Sequence, residues 1–139
     1  MKDFVDKICI KFDTANPYLI AERAGIAIIP TPLAEENYGF RLSSGRSTSI
    51  LINEATEENL QLFTLAHELG HCFLHKDINT AFFRKINVGT KIIKIEAEAN
   101  TFAFALLKNY MPYLQHTNED EILKYFNLPY NLKPYINKC

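Results

Sequence analysis

Between Leu60 and Phe73 the apolar residues Leu60, Phe63, Leu65, Leu69, Cys72 and Phe73 recur at helical spacing, and three ionisable side chains, His67, Glu68 and His71, are set among them. The pattern predicts one helix over about Glu57–Leu74. Thr56-Glu57-Glu58-Asn59 offers it a cap and early negative charge. The approach to the ionisable group, Phe63-Thr64-Leu65-Ala66, is apolar enough to bury that helix.

The flanking segments supply its cover. Phe4, Val5, Ile8 and Phe12 have helical spacing, and Asn16-Pro17 reads as an N-cap with proline in the first turn of a short helix over Tyr18–Ala24, stopped at Gly25. Ile26-Ala27-Ile28-Ile29 reads as a strand ended by Pro30. Tyr38–Leu42 and Thr48–Ile52 read as a hairpin turning through Ser43-Ser44-Gly45-Arg46. Ile78–Thr90 lacks a clean period and reads as a loop anchored by Phe82 and Phe83. A second long, alanine-rich helix is predicted from Lys91 or Ile92 to Lys108, and a short third one over Asp120–Phe126. Grouped strands followed by a helical half give an α+β pattern. With no repeat, low-complexity tract or linker, the expectation is a single domain over 1–139.

Composition excludes several functions. The formal net charge is -1, so no global field points to nucleic acid or membrane binding. No apolar run has the length of a bilayer span, and acids interrupt the N-terminus before any signal-like core, so a cytoplasmic protein is expected. Cys9, Cys72 and Cys139 are odd in number and widely spaced, which fits reduced thiols. Cys72 adjoins His71, but helix neighbours point about 100° apart, so it is a poor co-ligand.

The chemistry centres on His67-Glu68-Leu69-Gly70-His71. Helix residues four apart lie on one face, so His67 and His71 can offer imidazoles to one metal ion. Glu68 sits at the edge of that face, where it can take a proton from a metal-bound water. Zinc needs a third protein ligand and an open position for water. His75 lies about 12 Å along the axis from His67, too far for bonds of about 2 Å to one ion. His116 sits in a polar stretch and reads as a loop residue. Glu96 and Glu98 remain. Glu96, Ala99, Asn100, Ala103 and Leu107 share one face whose small residues permit close approach to the metal helix. Asn100, a turn beyond Glu96, could hydrogen-bond a metal-bound histidine. Glu98 points to another face, with Phe102 and Ala105. Glu96 is therefore favoured as third ligand, with Glu98 the alternative. Tyr38, Tyr110, Arg84 and His116 are candidate oxyanion donors.

Two segments, Leu65-Ala66-His67-Glu68-Leu69-Gly70-His71-Cys72-Phe73-Leu74-His75 and Glu96-Ala97-Glu98-Ala99-Asn100-Thr101-Phe102-Ala103-Phe104-Ala105-Leu106-Leu107, together resemble the ImmA/IrrE metallopeptidases. The likeness extends loosely over residues 15 to 112. The family usually closes its second motif with L-L-M-P, whereas Lys108-Asn109-Tyr110 stand here before Met111-Pro112. The resemblance implies a zincin-like fold, one zinc ion on His67, His71 and Glu96, and Glu68 as catalytic acid/base. It further implies an endopeptidase of a phage or mobile element that cleaves a helix-turn-helix transcriptional repressor. Two rival readings are a zinc-binding regulator that docks to a repressor without cleaving it, and a toxin or effector protease with another substrate.

Overall fold

The computed structural model describes residues 1–76 and 90–138. The irregular stretch expected from Ile78, with Phe82, Phe83 and Arg84, lies outside the described residues, as does Cys139.

Two helices open the chain. Helix α1 (Lys2–Phe12) buries Val5 and Ile8 and ends on Asp13 in the left-handed region. Helix α2 (Pro17–Arg23) starts as its sequence predicts, with the Asn16 side chain accepting the Tyr18 N–H and proline in the first turn. Three strands follow: β1 (Ala27–Thr31), β2 (Gly39–Ser44) and β3 (Ser47–Asn53). β2 and β3 form the expected antiparallel hairpin, with Ser44 opposite Ser47. β1 pairs parallel to β3, giving the order β1-β3-β2. Pro30 does not end β1, which runs on to Thr31. β1 is a sheet edge, and an edge strand tolerates proline because only half of its N–H groups face a partner.

Helix α3 (Glu58–Leu74) crosses beneath the sheet. Thr56 does not cap it. Its hydroxyl donates to the Asn53 carbonyl, and Glu57 takes the N-cap position with no side-chain cap bond. Helix α4 (Thr90–Tyr110) returns antiparallel to α3, so that Glu96 lies beside His71, Asn100 beside His67 and Phe104 beside Phe63. Two glycines set the spacing of these layers. A Cβ on Gly70 would sit 3.2 Å from both the Ala99 Cα and the Phe102 Cβ, so α3 and α4 touch almost backbone to backbone. A Cβ on Gly39 would meet the Leu51 carbonyl at 2.5 Å and the Thr64 methyl at 2.9 Å, so β2 is pressed onto α3.

A 3-10 turn (Pro112–His116), helix α5 (Glu119–Phe126) and a second 3-10 segment (Tyr130–Tyr135) close the fold. Phe126, Ile122, Leu114 and Ile136 join Val5, Ile20, Ile50, Leu65, Leu69, Phe102 and Leu106 in the core. The residues Lys108-Asn109-Tyr110 simply lengthen α4. Asn109 donates to Asp6 of α1 at 2.8 Å, and the Lys108 ammonium to the Ile136 carbonyl at 2.6 Å, tying both ends of the chain to this helix.

Candidate metal centre

α3 presents His67 and His71 one turn apart, and the contact at Gly70 lets Glu96 of α4 reach both. His67 Nε2 lies 3.0 Å from Glu96 Oε2, His71 Nε2 3.4 Å from Glu96 Oε1, and the two Nε2 atoms are 3.2 Å apart. Ions with tetrahedral bonds of about 2.0–2.1 Å place neighbouring ligand atoms about 3.3 Å apart. The three contacts match that edge length. The two contacts to Glu96 go to different carboxylate oxygens, and with one donor atom per residue the three lie within 4.8 Å of one another.

The outer ring atoms show which nitrogens are free. His67 Nδ1 is 2.8 Å from Asn100 Oδ1, a contact that assigns the Nδ1–H tautomer and leaves an Nε2 lone pair. His71 Nδ1 lies 3.0 Å from His75 Nδ1. With both rings in their Nδ1–H tautomers, two imidazole lone pairs and a carboxylate would converge, a donor set that could hold a cation, whereas protonated Nε2 atoms donate to Glu96 instead.

The electrostatics follow from burial and from these contacts. Burial by itself would lower the His67 pKa, but the Glu96 hydrogen bond and the charges of Glu68 and Glu96 outweigh it and raise the pKa. His71 is fully buried, and desolvation, only partly offset by Glu96, lowers its pKa to about 4. Burial would raise Glu96, yet hydrogen bonds from His67 and His71 hold it well below the usual carboxylate range. Burial pushes the Cys72 thiol up to about 11, and Cys72 is not among the converging donors.

Glu68 is buried, with Oε2 3.8 Å from His67 Nε2. It lines a cleft of about 300 Å³ together with His67, Glu96, Asn100, Tyr38 and Phe63, to which Leu128 and Leu132 add apolar lining. A larger hollow of about 540 Å³ lies between Lys11, Arg23, Arg41 and Lys76, and contains none of the converging groups.

Of the residues singled out in the sequence, His67, Glu68, His71, Glu96 and Asn100 come together here. Glu98 does not. Its Oε1 lies 3.4 Å from His75 Nε2. Tyr38 lines the cleft, whereas Tyr110 stands four turns, about 21 Å, further along α4 than Glu96. His116 sits in the 3-10 turn beyond α4 and does not line the cleft. Sequence reasoning missed two contributors. Arg41 of β2 donates to the carbonyls of His71 and His75, capping the end of α3. No local pattern signals a strand residue that reaches a helix end. Asn53 at the end of β3 donates to the carbonyls of Ala34 and Asn37 and accepts the Ala55 N–H, clamping the loop that carries Tyr38.

A mixed α+β fold whose H-E-x-x-H helix faces a glutamate of the next helix is the arrangement of a zincin-like metallopeptidase. The chain belongs to the peptidase family described as the IrrE N-terminal-like domain, which it matches over residues 21–132, and it is a metallo-endopeptidase of that family. It is 37% identical over 107 residues to the uncharacterized immunity region protein 2 of Bacillus phage phi105, covering 77% of this chain and 67% of that protein. It is 34% identical over 139 residues to the metallopeptidase ImmA of Bacillus subtilis strain 168, covering 93% of this chain and 79% of that one. No solved structure matches the chain significantly. Among the described residues, no helix is long and apolar enough to cross a membrane.

Proposed function

We propose that the protein is a zinc-dependent endopeptidase, with His67, His71 and Glu96 holding the ion and Glu68 as general acid/base. Its substrate in this reading is a helix-turn-helix repressor of a phage or mobile element, met in the cytoplasm. The observation that carries the reading is the convergence of two imidazole nitrogens and one carboxylate at 3.0–3.4 Å beside a buried glutamate. A nitrogen and oxygen donor set of this size suits zinc. Kinship with a phage immunity region protein and with ImmA supports a regulatory protein as substrate.

When bound, zinc supplies a water of lowered pKa and polarises the scissile carbonyl. The chain does the rest. Glu68 takes a proton from the attacking water and returns it to the leaving amine. Asn100 holds the His67 ring in its ligating tautomer. Gly39 opens β2 at the cleft, and β2 is a sheet edge to which an extended peptide can add. Phe63, Leu128 and Leu132 offer apolar walls for its side chains.

The test is incubation of the zinc-loaded protein with purified helix-turn-helix repressors from the genome that carries it, read by mass spectrometry of fragments. Wild type should cut at a defined bond. Glu68→Gln should still bind one zinc per chain, and lose at least about 10²-fold in rate. Undiminished cleavage by Glu68→Gln would sink the role given to Glu68. Repressor release from its operator without fragments would favour docking over proteolysis.

A further inference from the structure

We propose that His75 and Glu98 are positioning residues that set the tautomer of His71 and aim its Nε2 at the metal, an inference that rests on the zinc site proposed above. Neither residue is among the converging donors. His75 is the C-cap of α3 and is buried, 4% exposed. Its Nδ1 lies 3.0 Å from His71 Nδ1, and its Nε2 lies 3.4 Å from Glu98 Oε1.

Two imidazole nitrogens at that distance share one hydrogen, so the pair has two arrangements. In one, His71 Nδ1–H donates to His75 Nδ1. His71 Nε2 is then a lone pair facing Glu96 and His67, and the His75 hydrogen sits on Nε2, where it donates to Glu98. In the other, His75 donates. The His71 hydrogen then lies on Nε2, in the metal position, and a bare His75 nitrogen faces the Glu98 carboxylate. The Glu98 charge favours the first arrangement and opposes the second. Arg41 keeps the register. Its two guanidinium nitrogens donate to the carbonyls of His71 and His75 at 3.3 and 3.2 Å, so the last turn of α3 cannot unwind and separate the rings. The two metal histidines are thus oriented by different devices: Asn100 for His67, and the His75–Glu98 relay for His71.

The test compares full-length wild type with His75→Phe, His75→Gln and Glu98→Ala. Zinc affinity is measured by chelator competition, the visible spectrum is recorded with cobalt in place of zinc, and metal-free melting is followed for each. Glu98 is partly exposed, with 40% of its side chain accessible, so Glu98→Ala reports even where His75→Phe fails to fold. We expect about 10–100-fold weaker zinc binding and an altered cobalt spectrum for His75→Phe. A smaller loss is expected for Glu98→Ala. His75→Gln, which retains an acceptor and a donor, should recover much of the affinity, with metal-free melting little changed. Wild-type affinity and spectrum in both His75→Phe and Glu98→Ala would overturn the relay while leaving the zinc site standing. A zinc loss in His75→Phe that only tracks lost metal-free stability, with Glu98→Ala unchanged, overturns it too. A wild type that binds no zinc defeats the underlying site and the relay together.

Discussion

Glu68 and Glu96 are the same residue type within one cleft, yet their partners set them to different work. Glu96 is gripped by two imidazoles and held anionic, as a ligand requires. His71 has its pKa lowered to about 4 by burial and is neutral at pH 7, so in the proposed site proton competition for the metal would fall on His67. There burial opposes the charged form, but Glu96 and Glu68 together raise the pKa above its ordinary 6.5. A raised pKa means that protonation begins above pH 6.5. Zinc affinity should therefore be flat at alkaline pH and fall by up to tenfold per unit on acidification, from a point above 6.5. A chelator-competition series from pH 8.5 to 5.5 checks this, and an onset below 6 contradicts it. Tyr38 is the described oxyanion candidate that lines the cleft. Tyr38→Phe should cost about 10²-fold in kcat with zinc affinity unchanged. Turnover equal to wild type would remove Tyr38 from that role. That these residues share a site was legible because helical period alone places 67, 71, 96 and 100 on definite faces. The partner of Glu98 was not, because only the fold shows that the end of α3 brings His75 level with it.

At the scale of the element, the site depends on how closely α3 and α4 cross. Gly70→Ala adds a methyl 3.2 Å from Ala99 and Phe102, so the helices must part by a few tenths of an ångström. The gain in helix propensity, about 1 kcal/mol, offsets part of an overpacking cost of about 1–3 kcal/mol. Melting should therefore shift only modestly. Zinc affinity should drop more clearly, because Glu96 recedes from both histidines. A variant with a much lower melting temperature but wild-type affinity contradicts this ordering. The small face at Ala99 and Ala103 announced this contact in the sequence. The parallel pairing of β1 with β3 was unreadable, since strand partners are chosen by non-local packing and β1 finds β3 across the whole of β2. Pro30 misled for a related reason: proline ends a central strand but not an edge.

For the whole molecule, an ion held as proposed by His67, His71 and Glu96 would cross-link α3 and α4. Binding to the folded state alone stabilises by about 2.7 kcal/mol at a hundredfold excess over Kd. Chelation should then lower the melting temperature by about 5–10 °C in a chain of this size, and zinc should restore it. Calorimetry with and without a chelator measures the difference, and identical transitions would count against a resident ion. The α+β architecture itself was legible, because grouped strands preceding a helical half leave few alternatives.

The three donors are not equally shielded. The side chain of Glu96 is 25% exposed, that of His67 13% and that of His71 0%. In the proposed site the gradient would give metal exchange a direction. A chelator would reach the Glu96 side first and the His71 side last, so stripping would proceed as an ordered peeling from one mouth.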